Sequence, residues 1–298
     1  MDGLIRDWQN YTMRYRLFRP ALALGVCLAT LPPMACQASA SPSDTVPSAT
    51  VEGQRLEIGL ACPAMLHIRT EKGPKNTVRG HWPDNTAITH QPDGTVRLAI
   101  EACATPDATA TKTPTSIDIA TPPNMALAIE APQASVVVVD NRTGPVFLHT
   151  GPGLTQIGTA ETLDLIADTA GTIDIPTLPD SARIRSTGTA SVTIGKANGT
   201  ALSVYLGEAS SFLARSGRLK ALEITSASTK DAIFHGETGV AALHVESSGS
   251  IIVDKASGTV ATERDGPGRI LVNQPQDQPT TSLDHPSGEP AGHQPTQH

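Results

Sequence analysis

Residues 243–253 read Leu243-His244-Val245-Glu246-Ser247-Ser248-Gly249-Ser250-Ile251-Ile252-Val253. Leu243 and Val245 alternate with polar neighbours, a Ser-Ser-Gly-Ser break follows, and Ile251 and Val253 resume the apolar beat. A period of two marks strands buried on one face, and small residues between them let the chain turn. Towards the N-terminus the same pair recurs about every twenty residues, at Leu222 and Ile224, Leu202 and Val204, Ala182 and Ile184, and Leu163 and Leu165. A second register runs about ten residues out of phase, through Ala232 and Phe234, Phe212 and Ala214, Val192 and Ile194, and Ile173 and Ile175. Each repeat therefore holds two short strands.

The gaps carry turn residues, as in Asp168-Thr169-Ala170-Gly171, Ser186-Thr187-Gly188 and Ser226-Ala227-Ser228. A sandwich or barrel would show frequent hairpin signals, yet Asn-Gly occurs once, at Asn198-Gly199. The pattern predicts an all-β chain, a single-stranded β-solenoid of the parallel β-helix kind with coils of about twenty residues. Each coil is expected to lie on the preceding one at a spacing of about 4.8 Å. Aromatic residues make up only 3% of the chain, so burial must come from ladders of Val, Ile, Leu and Ala.

Upstream, Leu56–Leu60, Met65–Thr70, Val96–Glu101, Ile117–Ile119 and Ser135–Val139 read as longer, less regular strands. Residues 55–115 are expected to form N-terminal β coils or their cap, and residues 116–272 the regular repeats. Arrays of this kind need a closed end. Residues 41–54, rich in Ser, Pro and Thr, and residues 273–298, rich in Pro, Gln and His, are expected to be disordered.

The beginning of the chain has the layout of a Sec-type signal peptide, residues 1–40. Arg14, Arg16 and Arg19 precede an apolar run from Ala21 to Leu31, Pro32 and Pro33 break it, and Ala38-Ser39-Ala40 supplies small residues for a cut after Ala40. The run is too short for a spanning helix, so no transmembrane segment is expected in the mature protein. Met13 opens a more usual signal than Met1, and a rival reading lipidates Cys36. A periplasmic or cell-surface location follows, in an oxidising compartment. With Cys27 and Cys36 lying before the cut, Cys62 and Cys103 are expected to form a disulfide, two free buried thiols being the alternative.

The strand and Ser-Gly cadence of residues 243–253, with the early strands Leu56–Leu60, Thr95–Glu101 and Met125–Glu130, resembles the auto-transporter adhesin head (GIN) domains and related adhesin-like proteins of unknown function. It covers roughly residues 55–272, although Thr and Ala stand at several turns where that family favours Gly and Asp. The resemblance implies an exported β-solenoid and carries over no catalytic residues.

A net charge of −7 without clustered Lys and Arg argues against a nucleic-acid partner. A polysaccharide-active β-helix would need converging carboxylates or a Lys/Arg base, and Asp164 and Asp174 are the best candidates, each between two apolar residues on an outward strand position. Ordinary solvated carboxylates explain them better. His235 and His244, nine apart and expected on neighbouring strands, match no ligand motif, nor do His67, His81, His90, His149 or the tail's His285, His293 and His298. Gly151-Pro152-Gly153 and Gly266-Pro267-Gly268 read as tight turns rather than phosphate loops, since Pro lacks a backbone donor. No catalytic, cofactor-binding or metal-binding residue is assigned. The expectation is an exported adhesin-like solenoid with a binding or structural role at the cell envelope. Its unknown partner would be an envelope or surface protein or a polysaccharide, met on rows of Ser, Thr and small residues. The rival readings are the polysaccharide-active enzyme and a lipid-anchored protein of the same fold.

Overall fold

Period-two patterning becomes strands along nearly the whole of the computed structural model, which describes residues 49–103, 114–178, 180–273 and 280–284. The expected signal segment, the cut after Ala40 and Cys36 lie outside these residues. The N-terminal strands are β1 (Ala49–Glu52), β2 (Arg55–Leu60), β3 (Ala64–Thr70), β4 (Thr77–His81), β5 (Ala87–His90), β6 (Thr95–Ile100) and β7 (Thr115–Thr121). The regular part holds β8 (Ala126–Ala131), β9 (Val136–Val139), β10 (Val146–Thr150), β11 (Leu154–Ile157), β12 (Thr162–Ala167), β13 (Thr172–Leu178), β14 (Ser181–Ser186) and β15 (Ser191–Glu208). It continues through β16 (Ser211–Ala214), β17 (Gly217–Ser228), β18 (Ala232–Val245), β19 (Ile251–Ala256), β20 (Val260–Arg264), β21 (Ile270–Val272) and β22 (Thr280–Asp284). From β8 onward the strands wind into a parallel β-solenoid of about eight turns, each of about 19 residues.

Two ladders run along the axis. The first face stacks β8, β10, β12 and β14, then the second halves of β15, β17 and β18, and then β20 and β22, all in parallel. The second face stacks β9, β11, β13, the first part of β15, β16, the first part of β18, β19 and β21. Inward residues form columns: Leu165, Ile184, Val204, Ile224 and Leu243 follow one another on the first face, each nearly or wholly buried. On the second face Phe212 lies between Val192 and Ala232, and Phe234 between Ala214 and Val253. Each ring thus has an Ala on one side, which gives it room within the fixed coil spacing.

The corners are tight for the same reason. A Cβ on Gly217 would come within 2.0 Å of the Ala197 carbonyl oxygen in the coil beneath, so only glycine fits. Gly151-Pro152-Gly153 and Gly266-Pro267-Gly268 turn the chain between β10 and β11 and between β20 and β21, and a Cβ on Gly153 would meet the Ser135 carbonyl at 1.8 Å. Ser210 Oγ donates to the carbonyls of Gly207 at 2.7 Å and Ser186 at 2.9 Å, and Ser228 Oγ to that of Ser210 at 2.7 Å. These buried hydroxyls thus find acceptors among backbone carbonyls at the bends.

The coil order corrects the expectation that each coil lies on its predecessor. Arg55 of β2 pairs with Thr95 of β6 on one side and Ala126 of β8 on the other, and β3 likewise lies between β7 and β9. The first coil is therefore sandwiched by the second and third, and residues 122–125 carry the chain past it. Arg142, only 2% exposed, holds this crossing by donating to Thr121 Oγ1 at 2.7 Å and to the carbonyls of Pro122 at 2.6 Å and Met125 at 3.0 Å. Burial lowers its pKa to about 10, against the charge of Asp140, so it stays protonated at neutral pH. The disulfide joins Cys62, between β2 and β3, to Cys103, just after β6, with Cα atoms 5.7 Å apart. Closing a loop of this length is worth about 4 kcal/mol in the chain-entropy model.

Two stretches expected to be disordered contain strands. Ala49–Glu52 pairs antiparallel with β4, which itself pairs antiparallel with β7, and Thr280–Asp284 extends the first face over β20. Both are edge additions stabilised by backbone hydrogen bonds, which a search for apolar periodicity does not detect.

Candidate functional site

Pleating alone decides which side chains face outward, and the register aligns them into rows. On the second face one row runs Val138, Gln156, Asp174, Thr193, Leu213, Ile233, Ile252 and Leu271. Its first half is mostly polar, and its last four members are large aliphatics on successive coils. Leu271 is 52% exposed. Three coil steps make this apolar strip about 14 Å long. On the first face Ala201, Ala221, Val240, Ala242 and Ala261 border a shallow, mostly apolar hollow of about 400 Å³, with Val240 47% exposed.

Asp164 and Asp174 do not converge. Asp164 lies on the first face, beside Phe147 and Arg183 in register, and Asp174 on the second. Asp174 does share an open hollow of about 480 Å³ with Asp140, whose oxygens accept from His67 Nε2 at 3.1 Å and from the Thr70 amide at 3.2 Å. Of the two carboxylates there, Asp140 is paired with His67 and Asp174 is a half-buried group of the outward row.

His235 and His244 were expected on neighbouring strands but share β18, which passes the corner with a register shift between Phe234 and Glu237. His235 pairs with Asp254 at 3.0 Å. His244 lies 3.0 Å from Asp265 by Nε2 and 3.4 Å from Glu246 by Nδ1. His149 sits between Glu130, 2.8 Å from Nδ1, and Asp168, 3.1 Å from Nε2. Burial opposes protonation of His149, but the hydrogen bonds and charges of Asp168 and Glu130 outweigh it and raise its pKa. His67 lies 3.7 Å from Asp118 and 3.1 Å from Asp140. Sequence reasoning missed these groupings because most partners sit a coil away, at separations of 19 to 21 for His149, His235 and the His244–Asp265 pair and of 73 for His67 and Asp140, which carry no motif. Some of the Ser and Thr, expected on an outward face, are instead buried at corners, among them Ser186, Ser210, Ser226, Ser228 and Thr238.

Among the described residues no helix is long and apolar enough to cross a membrane. No protein family matches the chain, and no curated protein does. Several solved structures do. A protein of Bacteroides fragilis named as a putative adhesin is 19% identical, with 78% of this chain and 99% of that one covered and a TM-score of 0.48. A putative adhesin of Parabacteroides distasonis is 15% identical over 80% of this chain and 96% of its own, with a TM-score of 0.42. A protein of the same organism named as a putative lipid binding protein is 11% identical over 80% and 96%, with a TM-score of 0.32.

Proposed function

We propose that this protein is an exported, non-catalytic, adhesin-like solenoid that binds a partner at the cell envelope through its flat sides. The observation that carries the reading is the outward row Leu213, Ile233, Ile252 and Leu271, four aliphatics held at coil spacing on a rigid ladder. Leu213, Ile233 and Ile252 are half-buried and Leu271 is exposed, so the row keeps apolar surface that a partner's apolar surface would bury. Aliphatic rather than aromatic side chains favour a protein over a polysaccharide. The disulfide fits an oxidising compartment, and the N-terminal segment through β7, closed by antiparallel β4 and β5, serves as the cap.

The test has two arms. The full chain expressed in a Gram-negative host is fractionated and its mature N-terminus determined by mass spectrometry; a start at Ser41 outside the cytoplasm is expected, and an uncut cytoplasmic protein would overturn export. Labelled protein is then titrated onto isolated bacterial envelopes, with the Ile233→Asp/Ile252→Asp double variant as comparison. Binding at least tenfold weaker is expected, with an unchanged far-ultraviolet spectrum. Equal binding by the variant would remove the strip from the interface.

A further inference from the structure

His244, Glu263 and Asp265 bring one imidazole and two carboxylates together on the first face near the C-terminal end. Their donor atoms all lie within 4.8 Å of one another. The parallel register sets His244 of β18 directly opposite Glu263 of β20, and Asp265 follows just past the end of β20, two residues after Glu263. Asp265 Oδ2 is 3.0 Å from His244 Nε2. On the other edge of the ring, Glu246 Oε1 is 3.4 Å from Nδ1. An ion bound at Nε2 in place of the Asp265 contact would put the ring proton on Nδ1, towards Glu246.

We propose that His244 Nε2, Glu263 and Asp265 bind a divalent transition metal of the zinc class, with Glu246 as the outer partner that orients the imidazole. One nitrogen and two oxygen donors suit zinc better than calcium, which takes six to eight oxygens. Three protein ligands on an outer face leave a fourth position to solvent or to a group of another molecule. The ion would also tie the coil of β18 to that of β20.

The same chain contains an internal control. His149 stands in the same relation to Asp168 as His244 does to Asp265, with the acid two residues beyond the position opposite the ring. At that opposite position, however, His149 has Ile166 where His244 has Glu263. His149 and His67 each meet one carboxylate per ring nitrogen. Among the described residues, only His244, Glu263 and Asp265 bring three such donor atoms within 4.8 Å of one another.

The inference is independent of the partner-binding role and is tested by titrating zinc chloride into the full-length chain in a calorimeter. His285→Gln, His293→Gln and His298→Gln are built into every sample so that the tail's imidazoles do not contribute. One zinc per chain is expected. Affinity should fall at least tenfold in each of His244→Gln, Glu263→Gln and Asp265→Asn, and about tenfold in Glu246→Gln, while His149→Gln leaves it unchanged. Zinc should raise the thermal midpoint of the parent and not that of Glu263→Gln. Absent or non-saturable binding, or saturable binding that survives His244→Gln, would overturn the site.

Discussion

Ile224 sits between Val204 and Leu243 in an inner column with no exposed surface, while Glu223 beside it faces outward and accepts a hydrogen bond from Ser203 Oγ at 2.9 Å. Ile224→Asp is therefore expected to destabilise the chain by about 4 kcal/mol or to prevent folding, and Glu223→Lys to cost less than about 1 kcal/mol. Urea denaturation compares them, and equal tolerance would contradict the alternation. His149 gives a prediction of opposite sensitivity, to pH rather than to volume. Its folded pKa lies above the ordinary value of 6.5, so the stability it contributes is present in full below that value and is lost as pH rises through the folded pKa. The stability advantage of the parent over His149→Gln should be largest near pH 5.5 and shrink by pH 8; a difference that is flat with pH would mean that the two carboxylates do not act through the charge of the ring. At this scale inward and outward positions were legible in the sequence, because the pleat reverses direction at every residue. The roles of Ser and Thr were not, since a corner hydroxyl is identified by the carbonyl it reaches and not by its neighbours in the chain.

Strands were equally legible as elements, and their order in space was not. The two registers of alternating residues correspond to the two faces, but the position of β2 between β6 and β8 depends on pairings of Arg55 with Thr95 and with Ala126 that no local pattern encodes. Nothing in the stretch Pro122-Pro123-Asn124-Met125 announces a crossing either. What stabilises it is Arg142, a residue that sequence reading would place on a surface. Arg142→Met would leave Thr121 Oγ1 and the carbonyls of Pro122 and Met125 without their buried donor. A loss of about 3 kcal/mol is expected in chemical denaturation. A loss below about 1 kcal/mol would show that the crossing holds without it. The same logic explains the missed histidine clusters, whose members are close because coils stack and remote because the chain must travel round a coil between them.

Across the whole molecule, each coil contacts only its neighbours, so the ends decide whether the array is soluble and singular. The N-terminal end is closed by β4 antiparallel to β7, with β1 beyond it, and by β5 antiparallel to β6; among the described residues the other end carries the short β21 and β22. Exposed edges recruit strands from other chains, and an antiparallel cover prevents this at one end. The sequence by itself determined the strand periodicity, the two faces of the repeat, the ladder of small aliphatics in place of an aromatic core, and the pair of cysteines available to join. The cysteine pair, 41 residues apart, follows from which cysteines remain after the expected cut; the others are properties of residues within about ten positions of one another, where side-chain alternation and turn chemistry act directly. Only the tertiary structure decided the order of the first three coils, the burial of Arg142, the outward aliphatic strip and the gathering of His244 with Glu263 and Asp265. Each of these arises from register between strands a coil or more apart, which backbone pairing sets once the chain has closed on itself.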